Sequence, residues 1–420
     1  MQNFSDQNYH ALHYSFDDVW LVDGARTPFV DYCGAFSQIS PIDLGIKAAR
    51  AAIAKAGIDP NDIETTIAGS MAQASFDAYM TPRHIGIYAG VPVSRPAHLV
   101  QRICGTGIEV LTQAASLISG GQASVVLCAG AESMSRNPVA AYTHRTGFRM
   151  GQVEFKDFLW EALMDPAVSC SMGDTAENLA KLYGIGREDV DRFAERSFNR
   201  AIAAYDAGFY DDEIVPVVSE TFKIEGMNDR GIALPRKVES VSRDSHVRPS
   251  PYEALARIRP AFGGVQTGGN SSAVVDGAAA AVASSGAYVE RKGLTPLARI
   301  AATATVGVPP DIMGIGPAPA IAALLGRTGL SLADIGRIEI NEAFGAQIMA
   351  CILELGLNED KVNVNGGAIA IGHPLGATGL RISLTLAREL RRSGERYGIA
   401  SACIGGGQGI AILVENQAAA

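Results

Sequence analysis

The sequence predicts an α/β protein made of two similar halves, with a long segment inserted into the first. Three observations carry this. Strand-like apolar runs alternate with helical ones, a pattern that indicates a mostly parallel sheet. A glycine-rich turn, a helix and a buried strand occur in the same order twice. Between those two occurrences the character of the chain changes.

The first strand is read at 18–26 (DVWLVDGAR), after a short N-terminal tail, 1–17, that lacks the basic-then-apolar plan of a signal peptide. Residues 43–57 have helical spacing, with Asp43 near the start and Gly57 just past the end, as helix capping expects. A strand (IETTIAGSM) and a short helix at 82–90 follow. The internal similarity begins at CGTG, with its helix to residue 119 and the strand ASVVLCAGAESMS. It returns at GHPLGATG, with a helix to about 392 and the strand YGIASACIGGGQG. Two related halves are the simplest account. Residues 141–260 hold more charge and more aromatic residues, with helices at 174–184 and 188–207 and an irregular polar stretch at 216–250. This segment reads as an inserted loop or covering domain. The first half is then 18–140 plus 261–293, and the second 294–420.

Composition sets the class. A chain of 420 residues, 47% hydrophobic with 46 glycines, can bury two or three packed units rich in tight turns. A net charge of -9, from 35 basic and 44 acidic residues, argues against a nucleic-acid binder. It leaves room for a small polyanion held by a few local cations. No apolar run is long enough for a membrane span. The cysteines at 33, 104, 128, 170, 351 and 403 are scattered without a CxxC pair. They read as reduced thiols of a cytoplasmic protein, and no metal site is expected.

Four residues stand in contexts suited to chemistry. Cys104 precedes an apolar helix, where free N–H groups favour a thiolate, and Gly105 and Gly107 leave room at the sulfur. Read alone, it could equally be a packed core thiol. His373 lies among small residues, with Pro374 setting a turn. A glycine-walled turn before a helix also resembles a phosphate cradle, although neither a P-loop nor a dinucleotide fingerprint is present. Cys403 ends a strong strand ahead of IGGGQG, whose backbone N–H groups could turn toward an oxygen. Asn341 follows the strand RIEI, at the edge where α/β sheets bind ligands.

Taken together and in order, CGTG, GNSS with DGAA, NEAF, GHPLGATG and CIGGGQG resemble the thiolase family, as do DGARTPF and MGDTAENLA. The resemblance runs from about residue 18 to 415. It implies two βαβαβαββ halves in a five-layered αβαβα arrangement with an inserted loop domain. It also implies acyl transfer between coenzyme A thioesters with no further cofactor, in a homodimer or homotetramer. By position, Cys104 would carry the acyl group and His373 would activate it. Cys403 would be the acid/base at the α-carbon, and Asn341 would hold a water beside His373. The N–H groups of Cys104 and Gly405 would cradle the acyl oxygen. Ser272, Phe344, Met172 and Phe262 would line the pantetheine channel, and Arg248 is the candidate phosphate contact. Two departures bear on chain length. Ser171 stands where acetoacetyl-forming members often have His, and GNSS replaces a common GN-A-S. The segment KDFLWEALMDPAVSC is also unusual for a short-chain enzyme. Two-carbon units are the first expectation and longer 3-ketoacyl chains the second. A decarboxylating condensing enzyme would use a second histidine where Cys403 stands. A non-catalytic acyl-CoA or lipid binder would not need both thiols.

Overall fold

The computed structural model describes residues 10–142 and 144–419. Eleven strands form the large sheet. In the first half they are β1 (Leu12–Ser15), β2 (Val19–Arg26), β3 (Val30–Asp31), β4 (Thr65–Gly69), β5 (Ala97–Val100), β6 (Val125–Glu132) and β7 (Val275–Ser285). In the second they are β8 (Ala298–Gly307), β9 (Ile335–Ile340), β10 (Tyr397–Ile404) and β11 (Gln408–Glu415). The order is β9-β10-β11-β8-β2-β7-β6-β4-β5, with β1 on β8 and β3 on β7.

The sheet is mixed, which corrects the expectation of a mostly parallel one. Parallel pairing is confined to β4 with β5 and β6, and to β9 with β10. The strands between are antiparallel. The cause is connectivity. A tight glycine turn joins β10 to β11, so no helix can cross between them. The inserted segment separates β6 from β7, which frees their relative direction. The expected tail also needs correction. Residues 12–15 pair in register with 302–305, while 1–9 lie outside the described residues. All four β1 side chains are exposed, so the strand is held by backbone hydrogen bonds and left no apolar signal.

Helices α1 (Pro41–Ala56) and α2 (Thr81–Tyr88) cover one face of the first half. The Ser40 side chain caps α1, Pro41 opens it, and Gly57 at φ 64° closes it. Helix α3 (Thr106–Ser119) lies on the opposite face. The inserted segment supplies α4 (Met172–Tyr183) and α5 (Arg187–Asp206), and the second half supplies α6 (Pro317–Thr328), α7 (Gly345–Leu355) and α8 (Leu375–Ser393). Helix α8 packs on α3 and on strands of both halves, while α6 covers the far face of the second. The layers are therefore outer helices, strands, the α3/α8 pair, strands and outer helices. Helix α8 is buried all round from Leu375 to Ala387, and its buried hydroxyls are partnered inside: those of Thr378 and Ser383 donate to carbonyls one turn back and that of Thr385 donates to Glu213.

Helix α8 begins earlier than the sequence suggested. Gly376 and Gly379 sit within it rather than in a turn, so the phosphate-cradle reading of GHPLGATG does not hold. Their small size serves packing. A Cβ on Gly107 would lie 2.4 Å from the Leu380 nitrogen, and one on Gly379 2.3 Å from that of Ile108. The two central helices touch backbone to backbone at this point.

The inserted segment is anchored by a buried cation. The Arg26 guanidinium sits 2.5 Å from Glu213 and 2.7 Å from Asp244, with all three side chains out of solvent. Among the described residues no helix is long and apolar enough to cross a membrane.

Candidate active site

The site gathers where strands of both halves end. Glu132 ends β6, Asn341 follows β9, Cys403 lies near the end of β10, and Cys104 stands between β5 and α3. This is the edge at which α/β sheets place ligands.

Cys104 is held in a tight turn, Ile103–Gly105, that runs into α3. Ile103 adopts φ 45°, a left-handed conformation costly for a β-branched residue, on the order of 1–3 kcal/mol. The turn is secured by the Thr106 hydroxyl, which donates to Ile103 O at 2.6 Å and accepts from Arg102 N at 2.9 Å. Helix α3 has no side-chain cap, so its N-terminal N–H groups remain available beside the sulfur. Burial pushes the Cys104 thiol up to about 12, opposed by the N–H groups of Gly405 and of Cys104 itself. Those two donors face one point, as an oxyanion site requires.

His373 is buried, and its two ring nitrogens have different partners. Nδ1 is 2.6 Å from the Thr378 hydroxyl, which itself donates to Pro374 O at 3.0 Å. With its only hydrogen spent there, Thr378 accepts from His373, so Nδ1 carries the proton and Nε2 keeps a lone pair. Nε2 lies 3.3 Å from Asn341 Nδ2, and the buried Asn341 Oδ1 has no hydrogen-bond partner among the described residues. Burial, aided by the Arg381 charge, lowers His373 to about 3, which keeps the ring neutral. Cys403 is fully buried against Met313, Ala343, Met172 and Phe344. Burial and the proximity of Cys104 hold its thiol well above the ordinary range.

A cavity of about 280 Å³ is lined by Cys104, His373, Met172, Phe262, Ser272 and Phe344. Phe262 meets Phe344 edge-on at 6.2 Å, and a Cβ on Gly173 would strike the Phe262 ring. The exposed Trp160 also lines this cavity. A second cavity, about 230 Å³, meets the first at Cys104 and is lined by Gly405 and Gly406. Arg248 borders neither. It lies over the Phe198 ring, with Nη1 3.3 Å from His246 O, so the structure does not bring it to the site with the others.

Sequence reasoning missed two residues that fix the site. One is Thr378, which sets the tautomer of His373. The other is Glu132, a fully buried carboxylate that accepts from Met71 N at 2.8 Å, Ser70 Oγ at 3.0 Å and Gly376 N at 2.9 Å. It caps α8 from across the molecule, where Pro374 offers no side-chain cap. An acid closing an otherwise apolar strand was the available signal. Ser171 is also explained. Its hydroxyl donates to Asp174 at 2.7 Å and accepts from the Asp174 N–H, forming a capping box that starts α4.

Comparison with known proteins agrees with this geometry. The thiolase N-terminal domain matches residues 19–287, and the thiolase C-terminal domain matches 294–416. The chain is 42% identical over 404 residues to the mitochondrial 3-ketoacyl-CoA thiolase of Bos taurus, covering 95% of this chain and 98% of that one. It is 40% identical over 403 residues to the acetyl-CoA acetyltransferase of Cupriavidus necator, covering 95% and 100%. The crystal structure of human mitochondrial 3-ketoacyl-CoA thiolase superposes with a TM-score of 0.90 at 40% identity, covering 95% of this chain and 99% of that one. The matched motifs, the two-half fold and the convergence of both thiols with one imidazole lead to a single conclusion: the chain belongs to the thiolase family.

Proposed function

We propose that this thiolase transfers acyl groups between a 3-ketoacyl-CoA and coenzyme A, in either direction, through a thioester on Cys104. The observation that carries this is that Cys104 and a neutral His373 line one cavity, with the buried Cys403 close to Cys104 and packed behind the cavity-lining Met172, Met313 and Phe344.

In the thiolysis direction, Cys104 Sγ attacks the C3 carbonyl carbon and its proton passes to His373 Nε2. The C2–C3 bond then breaks. Its electron pair forms the enolate of acetyl-CoA, and Cys403 delivers a proton to C2. Free CoA, giving its proton back to Cys403, attacks the acyl-enzyme. Cys104 leaves and recovers its proton from His373. The N–H groups of Cys104 and Gly405 stabilise the oxygen of the tetrahedral intermediate, while His373 and a water held by Asn341 stabilise that of the enolate. Burial suits each role. His373 stays unprotonated and ready to accept, and both thiols stay neutral until a partner takes the proton. The cavity lined by Phe262, Ser272, Phe344 and Met172 takes the pantetheine arm.

The reading extends to assembly and surroundings. β5 is a terminal strand of the sheet, and Phe76, Tyr79, Met80 and Val93 are exposed large apolar side chains on the segments preceding it. These features support a symmetric homo-oligomer. All six cysteines are free, which suits a reducing compartment such as the cytoplasm.

Incubation with acetoacetyl-CoA and free CoA tests the chemistry. The protein is expected to release acetyl-CoA, and Cys104→Ser to release none. An active Cys104→Ser protein would refute the mechanism.

A further inference from the structure

One side of the cavity that takes the pantetheine arm has no regular structure behind it. Phe262 rides on a largely exposed turn, 259–264, that belongs to no helix or strand. The turn is closed by the Ala261 N–H, which donates to Gln266 O at 2.9 Å, and Gly263 passes through it at φ 77°. Something outside the turn must therefore fix where the ring sits.

A carboxylate from the inserted segment does so. Glu177, on α4, is buried. Its Oε2 accepts from Val265 N at 2.9 Å and its Oε1 from Gln266 N at 2.7 Å. Two successive backbone N–H groups thus share one ionised acceptor, which makes both bonds strong. The fit is close, since a Cβ on Gly264 would lie 1.9 Å from Glu177 Oε2. Four residues earlier, on the same face of α4, Gly173 receives the Phe262 ring, and a Cβ there would lie 2.4 Å from it. Helix α4 therefore grips the turn at two points, one helical turn apart. The chain beyond is anchored by α5, where Asn270 Nδ2 donates to Asp191 Oδ1 at 2.7 Å and to Val265 O at 3.0 Å. Glu177 lines neither cavity, so its effect on a substrate passes through Phe262.

We propose that Glu177 is a positioning residue for the pantetheine arm: by fixing Val265 and Gln266 it seats Phe262 on Gly173 and sets the width of the cavity that the arm crosses. This rests on the reading of that cavity as the path of the arm. A glutamine at 177 can accept from one of the two N–H groups, but its NH₂ faces the other, donor against donor. The turn then lifts and the arm loses an aromatic wall, while the groups that do the chemistry stay where they are. Binding weakens equally in the ground state and the transition state, which raises KM and leaves kcat.

The test measures Kd for CoA by calorimetry, and kcat and KM for acetoacetyl-CoA thiolysis, in the wild type, Glu177→Gln and Gly264→Ala. The two substitutions disturb one contact from opposite sides, the second by pressing a methyl group against the carboxylate, so one remains informative if the other fails to fold. Each folded variant is expected to raise both KM and Kd by about tenfold, with kcat within about twofold of the wild type. Folded variants with unchanged KM and Kd overturn the proposal. A fall in kcat with KM unchanged also overturns it, because that is the mark of a merely structural loss. A wild type that binds CoA without cleaving acetoacetyl-CoA would instead overturn the catalytic reading, and the comparison of Kd values would still decide the role of Glu177.

Discussion

At the residue scale, the chemistry depends on which nitrogen of His373 holds its proton. The Thr378 hydroxyl, already donating to Pro374 O, settles this by accepting from Nδ1. Thr378→Val removes the acceptor and leaves a buried N–H without a partner. We expect kcat to fall by about tenfold or more with little change in KM, and Thr378→Ser to recover most of the loss. Steady-state kinetics on acetoacetyl-CoA would check this, and an unchanged kcat for the valine variant would count against the assigned tautomer. The sequence made Cys104, Asn341, His373 and Cys403 legible because each stands beside glycines or at a strand end, where function leaves a local mark. Thr378 left almost none, and Glu132 only that of an acid closing an apolar strand. Glu132 acts on partners far away in the chain, and Thr378 acts within one helical turn through a proton position that residue spacing does not report.

At the element scale, the α3/α8 contact is the joint between the halves. Backbone meets backbone at Gly107 and Gly379, so an added methyl group has no space. Gly379→Ala should cost about 1–3 kcal/mol by overpacking, read as a lower denaturant midpoint with the slope retained. Glu132 holds the same joint from another side. Glu132→Ala would strand the N–H groups of Met71 and Gly376 and the Ser70 hydroxyl. A loss of about 3 kcal/mol or more is expected, from roughly 1–3 kcal/mol per orphaned group, and chemical unfolding would measure it. The sequence revealed the repeat that built these elements, because helix, strand and glycine recur in the same order. It misjudged strand direction, since a hairpin and a long insertion both look like ordinary connections in one dimension. It also placed the glycines of GHPLGATG outside α8, because propensity disfavours glycine in a helix and only tertiary packing makes it necessary.

At the scale of the whole molecule, burial of the catalytic groups makes stability depend on pH in both directions. His373 is lowered to about 3 in the folded state against an ordinary value of 6.5. Between those values the unfolded chain binds a proton that the folded chain does not, so stability falls as pH drops below about 6.5. Cys104 is raised to about 12 from 9.0. Above pH 9 the unfolded chain loses a proton that the folded chain keeps, so stability falls there also. Thermal unfolding across this range should show a plateau between the two limbs, and His373→Asn should flatten the acid one. An acid limb of unchanged steepness in that variant would show that other groups carry it.

The central claim is that Cys104 bears the acyl group. It is tested most directly by incubating the protein with acetyl-CoA, quenching in acid and mapping the modified peptide by mass spectrometry. The account predicts one acetyl group on the peptide containing Cys104, removed by added CoA and missing from Cys104→Ser. Acetylation that persists in that variant, or that maps to Cys403 instead, would contradict it.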